Sequence, residues 1–174
     1  MESILIGIDP GKSSGLAVIH QVGDVRAVVA KDTICEPNLA IQWVSSQYQR
    51  YKGIPTTIVL EMPARRKPGS DKVYPLFVRF EDLFKSWATE DPNLTVVVFG
   101  PGTWKPFIKA NKWKRPKGYT QHEADALNMV RFYLFNEELK KRTITTPDAF
   151  KKIADNLLEE MQNAKRKAED SDIR

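Results

Sequence analysis

The sequence predicts an α/β fold: a five-stranded mixed sheet, three antiparallel strands and then two crossover strands, flanked by helices. Three observations carry that prediction. Short β-branched runs near the N-terminus alternate with tight-turn signals, the pattern of consecutive hairpins. Of two later runs, Thr56–Glu61 is continuously β-branched, as strands buried on both faces are, and Leu94–Phe99 reads as a fifth strand. Segments with apolar residues at helical spacing separate and follow those runs, as crossover connections require.

The first strand is Ile4–Ile8, with isoleucine at every second position, ending in Asp9. Pro10-Gly11 then turns the chain, because proline presets φ and glycine accepts positive φ. Gly15–Ile19 reads as the returning strand, His20 as a turn residue and Gln21–Asp24 as a second tight turn. Val25–Ala30 is the third strand. Pro37 opens a helix whose face is Leu39, Ile41, Trp43, Val44, Tyr48 and Tyr51, with Gly53 ending it. Strand four, Thr56–Glu61, again ends in an acid followed closely by proline, at Pro63. Ala64–Lys72 is a basic loop without apolar periodicity. A helix is expected from Pro75 to Trp87, with Leu76, Phe77, Phe80, Leu83, Phe84 and Trp87 on one stripe. After strand five and the Gly100-Pro101-Gly102 break come a short helix at Thr103–Lys109 and a second basic loop, Asn111–Gly118. Gln121–Leu139 is apolar around most of its circumference and so reads as a buried helix. Thr146-Pro147-Asp148 caps a last helix, and the chain is charged from Lys165 onward. The expected division is one α/β domain at 1–142 and a helical extension with a charged tail at 143–174.

Composition narrows the function classes. A chain of 174 residues, 41% hydrophobic and 28% charged, is an ordinary globular protein with one sizeable core. No apolar run approaches the roughly 20 residues of a membrane span, and no secretory signal is expected from the N-terminal pattern. Cys35 is the only cysteine, which excludes an internal disulfide and a cysteine zinc cluster and fits a reducing, intracellular setting. A net charge of +5 points to an anionic partner, nucleic acid first.

The chemistry concentrates in acids. A lone Asp-Pro-Gly is most often a turn cap, but Asp9 and Glu61 both end strands, and Asp125 sits among the apolar positions of the buried helix. If strands one and four are neighbours, Asp9 and Glu61 emerge side by side at the carboxyl end of the sheet, and Asp125 can approach from its helix. Carboxylates so close repel one another, and a divalent cation relieves the repulsion best; oxygen ligands favour Mg2+, with Mn2+ as a substitute. Two such ions activate water and stabilise the leaving oxygen of a phosphodiester. His122, three residues before Asp125 on nearly the same face, is a candidate ligand or general base.

Ile6-Gly7-Ile8-Asp9-Pro10-Gly11, Leu60-Glu61 and His122-Glu123-Ala124-Asp125-Ala126-Leu127, in that order, resemble the RuvC-type Holliday junction resolvases, phage members included. The resemblance runs from about Ile4 to Leu134, and Gly100–Lys105 is also similar to phage and poxvirus members. It implies an RNase H-like fold and a homodimeric, Mg2+-dependent endonuclease that resolves four-way DNA junctions by paired nicks, in a bacterial cell or a phage-infected host. It implies that Asp9, Glu61 and Asp125 are metal-binding acids. His122 falls at a fourth ligand position where many members have aspartate. Glu123 is expected to point elsewhere, as a surface or secondary residue. Where bacterial members carry a wedge aromatic after the fourth strand, this chain has Arg65, Arg66 and Lys67, with Tyr74 the nearest aromatic.

Arg65, Arg66, Lys67, Lys72, Lys109, Lys112, Lys114, Arg115 and Lys117 are the expected DNA-binding cations, with Trp113 either stacking on an exposed base or anchoring its loop by local packing. Lys105 is the candidate for the scissile phosphate, where positive charge favours the transition state. The Phe77-Phe80-Phe84-Trp87 stripe, too apolar to leave wet, is either core or a subunit interface, and as an interface it is a second argument for a dimer. Three alternatives stand beside the resolvase: a broader debranching nuclease acting on flaps and forks, a non-catalytic branched-DNA binder, and a sugar-kinase-like ATPase. The last is disfavoured because that fold needs two such domains.

Overall fold

The alternating isoleucines of the first strand build the centre of the molecule. In the computed structural model, which describes residues 1–63 and 70–141 and positions 155, 156, 158 and 159, strand β1 (Glu2–Asp9) has a neighbour on each side. It pairs antiparallel with β2 (Ser14–Val22), which pairs antiparallel with β3 (Val25–Ile34). On its other side β1 runs parallel to β4 (Thr56–Glu61), which runs parallel to β5 (Leu94–Phe99). Among the described residues the result is one five-stranded mixed sheet in the order β3-β2-β1-β4-β5.

Two turn details set the hairpins. Gly23, at φ +60°, makes the β2–β3 turn, a backbone state that a side chain disfavours. Strand β3 runs four residues beyond the expected Ala30, because Lys31–Ile34 still pair with Ser14–Ala17. His20 is a strand residue rather than a turn residue: it lies opposite Ile4 in β2 and bonds Glu2 at 2.8 Å.

One face of the sheet carries helix α1 (Pro37–Arg50) and helix α2 (Ser70–Glu90). Glu36 caps α1 through both carboxylate oxygens, which accept from the backbone N–H groups of Asn38 and Leu39. Helix α2 begins five residues before the expected Pro75. Proline lacks one N–H, but the added turn brings Tyr74 against Phe77, ring centroids 5.8 Å apart. The aromatic stripe of α2 faces inward: Phe77, Phe80 and Phe84 are buried with Ile4, Ile6, Ile8, Ile58 and Leu60, and Trp87 stacks on Tyr48. Each such buried side chain contributes about 1.5–3 kcal/mol. The stripe is therefore core, and the dimer argument drawn from its exposure falls away.

The other face carries helix α3 (Pro101–Ala110) and residues 121–132 of helix α4 (Gln121–Lys141). Phe132 of α4 bridges Phe99 of β5 and Phe107 of α3, at 5.2 and 5.1 Å. The chain divides into two compact units, Met1–Phe132 and Tyr133–Arg174. Within the second, Lys140 pairs with Glu137 at 2.7 Å, and positions 155, 156, 158 and 159 are helical. The start expected for the last helix at Pro147 and the charged tail lie outside the described residues.

Candidate active site

Strand periodicity decides which way the acids point. On β1 and β4 the residues Ile4, Ile6, Ile8, Ile58 and Leu60 join the core with α1 and α2. Their alternating neighbours Gly7, Asp9 and Glu61 therefore face the side of α4. Because Ile8 pairs with Leu60 in parallel register, Asp9 and Glu61 leave the sheet next to one another.

Helix α4 comes very close to that face because glycine leaves room for it. A Cβ added at Gly15 would lie 2.7 Å from the Cβ of His122 and nearer still to its carbonyl group. One at Gly7 would lie 2.8 Å from Cγ2 of Val130 and nearer still to the carbonyl of Ala126. The helix backbone thus rests directly on β1 and β2, and this seats His122 and Asp125 over the strand ends.

Five predicted residues meet there. His122 Nδ1 lies 3.2 Å from Asp9 Oδ2. Lys105 Nζ, from α3, lies 2.9 Å from Glu61 Oε1 and 3.8 Å from Asp125 Oδ2. The same ammonium sits 4.9 Å from the Trp104 ring centroid, a cation–π contact with a buried indole. Gln121, which the sequence reading had not singled out, donates to Asp125 Oδ1 at 2.7 Å. It occupies the helical position four before Asp125, a spacing at which an amide and a carboxylate meet.

Burial governs the electrostatics. Glu61 is 5% exposed, and its pKa is pushed up to about 8, first by burial and then by the charge of Asp9; Lys105 opposes both. Burial also raises Asp125, against the pull of Lys105 and Gln121. Burial disfavours the charge on Lys105, yet Glu61, Asp9 and Asp125 outweigh it and hold that ammonium above its ordinary value. Among the described residues, Glu61 Oε2 is buried with no hydrogen-bond partner.

Among the described residues, no three His, Cys, Asp or Glu side chains are drawn together as a ready metal cage. Glu61 and Asp125 are turned onto Lys105 instead. The donor set nevertheless suits a hard divalent ion. It offers carboxylate oxygens from three elements, and Glu61 Oε2 is a buried acceptor with no hydrogen-bond partner among the described residues.

The predicted DNA-binding residues divide. Lys109 on α3 and Lys112, Lys114, Arg115 and Lys117 in the loop 111–120 are exposed. Trp113 stands half-buried and edge-on to Phe107, centroids 5.5 Å apart, so much of its ring serves as a packing anchor. Lys72 lies on α2 rather than in a loop. Arg65, Arg66 and Lys67 lie outside the described residues. Glu123 is not a surface residue. It is 6% exposed and forms a capping box with Thr120: its carboxylate accepts from the Thr120 N–H at 2.7 Å, and its own N–H donates to Thr120 Oγ1 at 3.1 Å. The Thr-x-x-Glu pattern ahead of an apolar helix was a legible signal for it.

A β3-β2-β1-β4-β5 sheet, antiparallel in its first half and parallel in its second, with helices on both faces, is the RNase H-like fold. The chain is similar to Thermus thermophilus RuvC solved in complex with a Holliday junction substrate, with a TM-score of 0.60 and 14% identity. A second Thermus thermophilus RuvC structure gives 0.58 and 15%; each match covers 79% of this chain and 96% of the other. No protein-family model and no curated protein matches the sequence.

Proposed function

We propose that this chain is a divalent-metal-dependent, structure-selective DNA endonuclease that resolves four-way junctions by paired nicks. The observation that supports it most is that Asp9 and Glu61 leave adjacent strand ends while Lys105 bridges Glu61 and Asp125 and His122 pairs with Asp9, at the carboxyl end of the sheet. A protein that only bound DNA would gain nothing from holding buried acids together at the cost of raised pKa values. The likeness to RuvC in complex with a Holliday junction supports the choice of substrate.

Asp9, Glu61 and Asp125 would hold the metal, Mg2+ or Mn2+, with His122 beside them. When bound, the metal supplies an activated water and stabilises the leaving oxygen of the phosphodiester. His122, oriented by Asp9, accepts the proton of the attacking water or serves as a further ligand. Lys105, already at the carboxylates, would supply positive charge to the scissile phosphate. Lys109, Lys112, Lys114, Arg115 and Lys117 hold the duplex arms through phosphates without reading sequence. Paired incision needs two such sites, so the active form is a homodimer of the 1–142 domain, with 143–174 as an extension.

The test is nicking of an end-labelled four-way junction, with and without Mg2+. Asp9→Asn is expected to abolish cleavage while junction binding stays near wild type. Mg2+-dependent nicking retained in that variant would overturn the assignment. Equal incision rates on junctions, flaps and forks would replace the strict resolvase by a debranching nuclease.

A further inference from the structure

The loop 111–120 is anchored to the far edge of the sheet by groups outside the active site. Lys31, on edge strand β3, donates to the carbonyl of Gly118 at 2.9 Å and pairs with Glu123 Oε2 at 3.2 Å. Its ammonium also lies 4.4 Å from the centroid of the Tyr119 ring. Two residues along β3, Thr33 Oγ1 meets Thr120 Oγ1 at 2.6 Å. The oxygen of Glu123 that pairs with Lys31 is the one that accepts from the Thr120 N–H. Sheet edge, loop end and first turn of α4 therefore share one buried carboxylate oxygen. At the other end of the loop, Trp113 packs on Phe107 and its backbone N–H donates to the carbonyl of Ile108 at 3.1 Å. Between these two anchors stand the exposed Lys114, Arg115 and Lys117.

We propose that Lys31 and Glu123 are positioning residues, a latch that holds this basic loop in the shape that receives DNA phosphates. The inference rests on the reading of the loop as a DNA surface. A buried carboxylate is costly unless paired, so Glu123 needs Lys31. Lys31 in turn spends its charge on the loop rather than on solvent. A loop ordered in advance does not lose that freedom when DNA binds, so the latch contributes to affinity without touching the ligand. Because Glu123 lies between His122 and Asp125 in sequence, the same contact fixes the loop relative to the helix that carries the site.

Glu123→Gln isolates the latch, since glutamine at this position keeps the capping box and removes only the charge on which Lys31 pairs. The two explanations then differ in sign. If electrostatics alone acts, deleting a negative charge tightens DNA binding; if the latch acts, binding weakens. The measurement is affinity for a labelled four-way junction without divalent metal over a salt series, with amide hydrogen exchange of residues 111–120 in the free protein. The expected result is about tenfold weaker binding, the equivalent of one charge-assisted hydrogen bond. The slope of log K against log salt should fall by more than the roughly 0.9 of one lost phosphate contact. Loop exchange should become faster while the β1 and β4 amides stay protected, which shows that the variant is folded. Lys31→Gln should do the same, and the double variant should be no worse than either single one. Unchanged or tighter binding with unchanged loop exchange would overturn the latch. Replacing Lys112, Lys114, Arg115 and Lys117 together by Ala separates the two layers. If that variant binds as wild type does, the loop is not a DNA surface and both readings fall. If it weakens binding while Glu123→Gln does not, only the latch falls.

Discussion

Replacing Gly15 by Ala should injure the site without touching any of its functional groups. The added Cβ would stand 2.7 Å from the Cβ of His122, with the backbone carbonyl of that residue nearer still. Carbon atoms rest at about 3.5–4.0 Å, so the first turn of α4 must retreat by about 1 Å. The obstacle is helix backbone rather than the end of a pliable side chain, so local adjustment cannot absorb it. Overpacking of this kind costs about 1–3 kcal/mol of stability. The retreating turn carries His122 and Asp125 away from Asp9 and Glu61, and a misplacement of about 1 Å in a catalytic constellation costs about 100-fold in rate. The assay is junction cleavage at saturating Mg2+ together with thermal melting. Gly102→Ala serves as the control, because among the described residues nothing lies within 4 Å of its added Cβ and the position is helical. There alanine should stabilise, by about 0.5–1 kcal/mol. Equal cleavage and melting in the two variants would refute the seating of α4 as the device that assembles the site.

The remaining predictions concern charge. Glu61 has its folded pKa raised from 4.5 to about 8, so its contribution to stability is complete below pH 4.5 and is lost as the pH rises through 8. That interval corresponds to at most about 5 kcal/mol. Metal-free protein should therefore melt progressively lower from pH 5 to pH 8, and Glu61→Gln should flatten the profile; a wild-type profile no steeper than the variant's would be the wrong result. Lys105→Met removes the cation that Glu61 and Asp125 share, and should destabilise metal-free protein by about 1–2 kcal/mol, a figure discounted because the lysine is 44% exposed. Added Mg2+ or Mn2+ should raise the melting temperature of that variant more than it raises the wild type's. Indifference to the ions in both proteins would count against the carboxylates as a metal site.

Most of the sheet was legible because its signals are local. The bounds of β4 and β5 follow from their β-branched runs, and period two in β1 already separates Ile4, Ile6 and Ile8 from Asp9. Asp9, Glu61, His122 and Asp125 were legible as a set because strand ends and helical spacing imply directions. What escaped were contacts between segments far apart in sequence. Lys31 meets Glu123 across 92 residues, and no pattern around Lys31 announces it. The stripe on α2 showed the converse: its period revealed an apolar face, but period cannot say whether a face meets its own sheet or another molecule.

The sequence by itself determined the α/β class, the order of the elements and the identity of the acids. These depend on residue type, period and turn chemistry, which act over a few neighbours. Only the tertiary structure decided that α4 lies in backbone contact with β1 and β2, that Lys105 is the cation among the acids, and that Glu123 is buried. Those outcomes turn on which surfaces meet and on how much water the meeting excludes. The same exclusion raises Glu61 far above an ordinary carboxylate.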